Sequence, residues 1–188
     1  MRAFIKIAHL ACALALFSAA AVAQNQQRPP RQSDEGVHNA IPASPSHATR
    51  TKIQSYGWEK GFNSEANTQD SEYKNAADEK IRHHLDFEER QYYADEMTDV
   101  FMEGVKAGRL DKAEVQGYKS GYTAFTNLKK TNSKSKVNKK VSTAALAKDA
   151  GYTDSAETGR FKQGAEKAQK DVSAGKKSTP PSFSNPYN

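Results

Sequence analysis

From Thr51 to Ser173 apolar residues recur at intervals of three and four, and no stretch alternates between apolar and polar, so the pattern predicts helices and no strands. Proline is absent from Ser46 to Thr179, which leaves that stretch free of helix breakers. Four helices follow from period and cap signals. The first runs from about Thr51 to Ala66, and the second from about Ser71 to Ala107, ending near Gly108. Asp111 with Glu114 resembles a capping box and opens a third, to about Leu128; Asp154 with Glu157 opens a fourth, to about Ser173. A short helical turn from Ser142 to Ala150, closed by Gly151 at C′, precedes the fourth. On the second segment Tyr73, Ala77, Ile81 and Leu85 share one side, whereas Met97, Val100, Phe101 and Gly104 lie well around the cylinder. That drift predicts a bend near Phe87 to Tyr93, or two halves that face different neighbours. The expected fold is all-α, a small bundle of about four helices, with duplication into two hairpins as a candidate origin.

The flanks read differently. Residues 1–23 combine an early basic start (Arg2, Lys6), an apolar run and a small-residue ending, Ala21-Val22-Ala23, which is the pattern of a secretory signal peptide. Residues 24–48 are polar and rich in Pro and Ser, and residues 175–188 share that character, so both are expected to be disordered. Between them a helical domain is expected over 49–174, with a first part at 49–128, a basic linker at 129–140 and a last part at 141–174. The expected location is outside the cytoplasm, secreted or periplasmic, with no membrane span after removal of the leader.

Laying Gly57 onward over Gly117 onward without gaps reveals ten identities in 60 positions. GWEKGF at Gly57 to Phe62 matches GYKSGY at Gly117 to Tyr122, and TDVFMEG at Thr98 to Gly104 matches TGRFKQG at Thr158 to Gly164. A mid-helix glycine costs about 1 kcal/mol relative to alanine, so Gly57, Gly61, Gly117 and Gly121 call for compensation. Their four-residue spacing places each pair on one helix face, where two backbones can approach closely. The first and third helices are therefore predicted to cross at these glycines, with Trp58, Phe62, Tyr118, Tyr122 and Phe125 alongside.

Composition narrows the classes. Cys12 is the sole cysteine and lies in the leader, so disulfides are excluded downstream of it. Leu, Ile, Val and Phe supply 20 of the 165 residues from Gln24 onward, a thin core that Tyr, Trp58 and Ala must supplement. Charge is segregated: Asp70 to Glu103 carries a net −7, and Gly104 to Asn188 a net +10.

Candidate chemistry is sparse. Glu79, His83, His84 and Glu88 form a four-residue ladder that would suit zinc on one continuous helix, yet it is neither HExxH nor a di-iron pattern, and a solvated charged face explains it more simply. No cofactor is expected. GxSxG, a Walker A loop and a cysteine nucleophile are all missing, which points away from an enzyme. Lys129 to Lys140 holds six lysines, among them Lys129, Lys130, Lys139 and Lys140, and suits an anionic polymer or membrane surface. It contains neither aromatics nor arginine, so nucleic acid is a poor fit. Trp58, Tyr92, Tyr93 and Tyr118 are the expected binding residues for a protein partner outside the cytoplasm, of effector or inhibitor type. The plain alternative for the wider aromatic set, which adds Phe62, Tyr122, Phe125, Tyr152 and Phe161, is core packing.

Overall fold

The computed structural model describes residues 41–133 and 140–188. The expected leader, most of the first arm, and Lys139 with half of the basic linker lie outside the described residues. Five helices and no strand are present among those described: α1 (His47–Asn63), α2 (Asp70–His84), α3 (Phe87–Asn132), α4 (Thr143–Asp149) and α5 (Ser155–Ser173).

Local chemistry explains most boundaries. Ser46 caps α1, its hydroxyl accepting from the Thr49 backbone N–H at 3.1 Å, so the helix starts a turn earlier than expected. Between α2 and α3, Leu85 is buried in an extended conformation and Asp86 begins a reciprocal capping box with Glu89 (2.8 and 3.0 Å). This break replaces the single helix expected from Ser71 to Ala107, and it lies just before the stretch where a bend was expected. Ser142 caps α4, and Gly151 follows it at φ +84°. Asp154 caps α5 through the N–H groups of Ala156 (2.9 Å) and Glu157 (3.0 Å).

The third expected helix does not exist as a separate element. α3 runs unbroken for 46 residues, about 69 Å at 1.5 Å per residue, straight through Gly108 and Asp111. Gly108 is no stop signal, because α1 comes so close there that a Cβ would collide with the Trp58 carbonyl. Asp111 does not cap; it accepts the Trp58 indole N–H at 3.0 Å. Glu114 pairs with Arg160 at 2.9 Å.

Two glycine seams hold the helices together, and their partners correct the expected crossing of the first and third segments. Gly57 and Gly61 on α1 meet the backbone at Phe101 and Val105 of α3, while Gly104 meets Gln54 and Trp58 in return. Gly117 and Gly121 on α3 meet Phe161 and Ala165 of α5, while Gly164 meets Glu114 and Tyr118. Residue numbers climb together across both seams, so α1 runs parallel to the first half of α3, and α5 parallel to its second half. A parallel neighbour needs a returning connection, which α2 supplies for the first seam.

Each half of α3 carries its own core. Ile53, Tyr73, Ile81, Met97 and Phe101 are buried in the first cluster, and Ala113, Ala147, Tyr152 and Phe161 in the second. The prominence of tyrosine and alanine follows from the scarcity of aliphatic residues, and backbone contact at the glycines supplies dispersion where side chains are missing. Residues 175–188 contain no helix or strand, in keeping with their composition, but they are tied to the body by hydrogen bonds at Tyr118, Tyr122 and Ser55.

Candidate interaction surface

The four aromatic candidates do not form one surface. Trp58 is 6% exposed, stacked on Phe62 with ring centroids 4.9 Å apart and bonded to Asp111. Tyr118 is fully buried; its hydroxyl donates to Asp171 at 2.9 Å and accepts from the Thr179 N–H at 3.0 Å. Burial pushes its phenol above the ordinary value. Both residues hold helices together. Tyr93 is half-buried and donates to the Pro42 carbonyl at 2.7 Å. Tyr92 alone stays largely outside, 48% exposed, on the first half of α3.

The sequence reading missed Phe87, which is 68% exposed at the first position of α3. Had the Asp86 and Glu89 pair been recognised as a capping box, Phe87 would have been placed on the first turn of a helix, outside the core. Phe87 and Tyr92 stand among Glu88, Asp95, Glu96 and Asp99, so this end of α3 combines exposed aromatic area with negative charge.

The lysines are dispersed. Lys129 donates its ammonium to the Val172 carbonyl at 3.2 Å and so serves the C-terminal end of α5. Lys130 and Lys140 are exposed, and Lys139 lies outside the described residues. The acidic and imidazole ladder is split because α2 ends at His84 and Glu88 belongs to the next helix, which corrects the four-residue pairing of His84 with Glu88. His84 stacks on Tyr56 at 5.5 Å, and the Lys80 ammonium lies 5.0 Å from the Tyr56 ring. Burial first, then Lys52, His83 and Lys80, lower the His84 imidazole below its ordinary value, an environment that repels a cation. Among the described residues no group of three or more His, Cys, Asp or Glu is placed to hold a metal.

The most elaborate polar cluster centres on Arg109, which carried no signal in the sequence. Its guanidinium bonds Glu157 twice (2.5 and 3.0 Å), the Tyr73 hydroxyl (3.2 Å), the Thr68 carbonyl (3.4 Å) and the Ala66 carbonyl (3.0 Å). Those five bonds match the five N–H donors of arginine, so none is left for a ligand. A cleft of about 270 Å³ borders this cluster, with Asp70, Lys106 and Asp154 at its rim. Arg109 thus clamps the loop after α1 and the start of α5 onto the middle of α3. Every fully buried side-chain polar atom among the described residues has a partner. No described helix is long and apolar enough to cross a membrane.

No family model, curated protein or solved structure matches this chain.

Proposed function

We propose that this chain is a non-enzymatic binding protein that acts outside the cytoplasm through contact with another protein, as an effector or inhibitor does. The observation that carries the reading is the division of labour among large side chains. Trp58, Tyr118, Phe101 and Phe161 are spent inside the molecule, whereas Phe87 and Tyr92 have no comparable packing role and stand exposed on the acidic flank of α3. Exposed aromatics on a stretch where acidic residues outnumber basic ones, with Arg90 between them and Arg50 paired to Glu96, suit a partner with an apolar pocket and a mainly basic rim. The secretory pattern of residues 1–23 supports the location.

The same proposal treats the body as a duplicated helical unit, in which a helix packs parallel to one half of α3, rather than as the two antiparallel hairpins expected from the sequence. Its support is a set of contacts that recur 60 residues on: Gly57 against Phe101 and Gly117 against Phe161, Gly104 against Gln54 and Gly164 against Glu114. The polar links recur as well, Trp58 to Asp111 and Tyr118 to Asp171. Duplication accounts for all of them with one ancestral seam, and it gives the molecule two similar ends of opposite charge.

The test is capture of partners from the surrounding medium or host extract by the wild-type chain and by an F87A/Y92A variant, at low and high salt. The reading expects a protein retained by the wild type at high salt and lost by the variant. Retention by the variant sinks the assignment. Capture of anionic polymers at low salt alone, abolished by changing Lys130 and Lys140 to Gln, moves the function to the lysine segment instead.

A further inference from the structure

The last residues of the chain lie on the body in a manner unlike an unstructured end. After α5 the chain turns at Gly175, with φ +68°, and is then held by side chains of the second seam. Tyr122 donates its hydroxyl to the Lys176 carbonyl at 2.9 Å, and the Thr179 N–H donates to the Tyr118 hydroxyl at 3.0 Å. The chain continues to α1, where Asn185 Nδ2 donates to both the carbonyl (3.1 Å) and the hydroxyl (2.9 Å) of Ser55. Ser55 in turn donates to Asn188 Oδ1 at 2.7 Å. Ser55 is only 5% exposed, a buried hydroxyl whose two bonding roles are both filled by the tail.

Between these anchors the tail lies along the surface without helix or strand, and it turns at Pro186 and Tyr187. Pro181, Phe183, Asn185 and Tyr187 are half-buried, while Ser182, Ser184, Pro186 and Asn188 are exposed, a period of two. Residues 180–188 carry no charged side chain, although 27% of the chain is charged. A surface that half-buries Pro, Phe, Asn and Tyr at alternate positions, and holds an amide on a buried serine, has two components of peptide recognition: contact with alternate side chains and one polar clip.

We propose that the surface from Tyr118 to Ser55 is a docking site for an uncharged peptide segment of a partner, rich in proline and aromatics, and that the chain's own tail occupies it as an intramolecular competitor. The tail shows what the site selects. Tethering supplies the competitor at an effective concentration on the order of millimolar, so a partner segment must displace it. This inference stands on the tail and its anchors at Tyr118, Tyr122 and Ser55, and does not need the Phe87 and Tyr92 surface.

The experiment uses full-length chains and a fluorescent synthetic peptide of residues 178–188 as the probe. N185A/N188A keeps the receptor and weakens the competitor; adding S55A to it removes the clip. The peptide is expected to bind N185A/N188A about tenfold or more tightly than wild type, and to lose about tenfold or more in the triple variant. Equal helicity by circular dichroism checks that each chain is folded. Absence of saturable binding to N185A/N188A, equal binding to all three chains, or equal binding of a scrambled peptide overturns the proposal. If S55A disturbs folding, Y118F tests the other anchor on the same background. Sedimentation of wild-type chain as a concentration-dependent dimer, abolished by N185A/N188A, assigns the occupant to a second copy and overturns the partner assignment.

Discussion

Substituting Gly104 by alanine tests the glycine seam directly, because the new methyl would meet only backbone. Its nearest neighbours would be the Gln54 carbonyl and the Trp58 amide, neither of which can rotate away. Helix propensity favours alanine over glycine by about 1 kcal/mol, whereas forcing an extra carbon into a packed core costs about 1 to 3 kcal/mol or more. Collision with rigid backbone belongs at the upper end of that range, so the net loss is about 2 kcal/mol. For a domain of this size that lowers Tm by about 4 to 8 °C. Gly159, on α5, provides the matched control, since a Cβ there has nothing within 4 Å. Gly159→Ala is expected to gain about 1 kcal/mol and raise Tm by about 2 to 4 °C. Thermal and urea unfolding followed at 222 nm measure both. A G104A chain as stable as G159A refutes the seam as a backbone contact. The corresponding change on the second seam, G164A, would clash with the Glu114 carbonyl and is expected to behave like G104A.

Glu157→Ala leaves the Arg109 guanidinium partly buried without its carboxylate, and is expected to cost about 3 to 5 kcal/mol, read by urea unfolding; a loss below about 1 kcal/mol contradicts the clamp. Asp111→Ala strips the Trp58 indole of its acceptor, and should cost about 1 kcal/mol with a shift in tryptophan emission, which the single Trp of the chain makes readable. Tyr152 is buried, and that burial, helped by Glu157, pushes its phenol up to about 12. In the unfolded chain the same group ionises near pH 10, so the folded state retains the proton longer and stability falls as pH rises from about 10 to about 12. Y152F should flatten that alkaline decline, and an unchanged pH profile would place the sensitivity elsewhere.

Several features were legible from residues alone because they are local. Helix type follows from apolar spacing, and the caps at Ser142 and Asp154 follow from side chains that reach backbone one turn away. The Asp86 capping box is equally local, but the drift of the apolar face across it suits a bent helix as well as a break. Glycines at four-residue spacing announced close backbone approach. Tyr92 was one of four aromatics named from the sequence, and which of the four would be exposed was settled only by packing.

What the sequence determined by itself is therefore the helical class, the segregation of charge, the thin tyrosine-supplemented core and the presence of glycine contacts. Which glycines meet was decided only in three dimensions. A small residue states that a backbone must come near, but carries no information on whose backbone. Hence Gly57 pairs with α3 near Phe101 rather than with Gly117, and α3 passes through Gly108 and Asp111 because tertiary partners there outweigh the local stop and start signals. The Arg109 clamp and the Ser55 clip join residues 48 and 130 or more positions apart. Hydrogen bonds at such separations leave no periodicity or spacing along the chain, so only the packing of α1, α3 and α5 could create them.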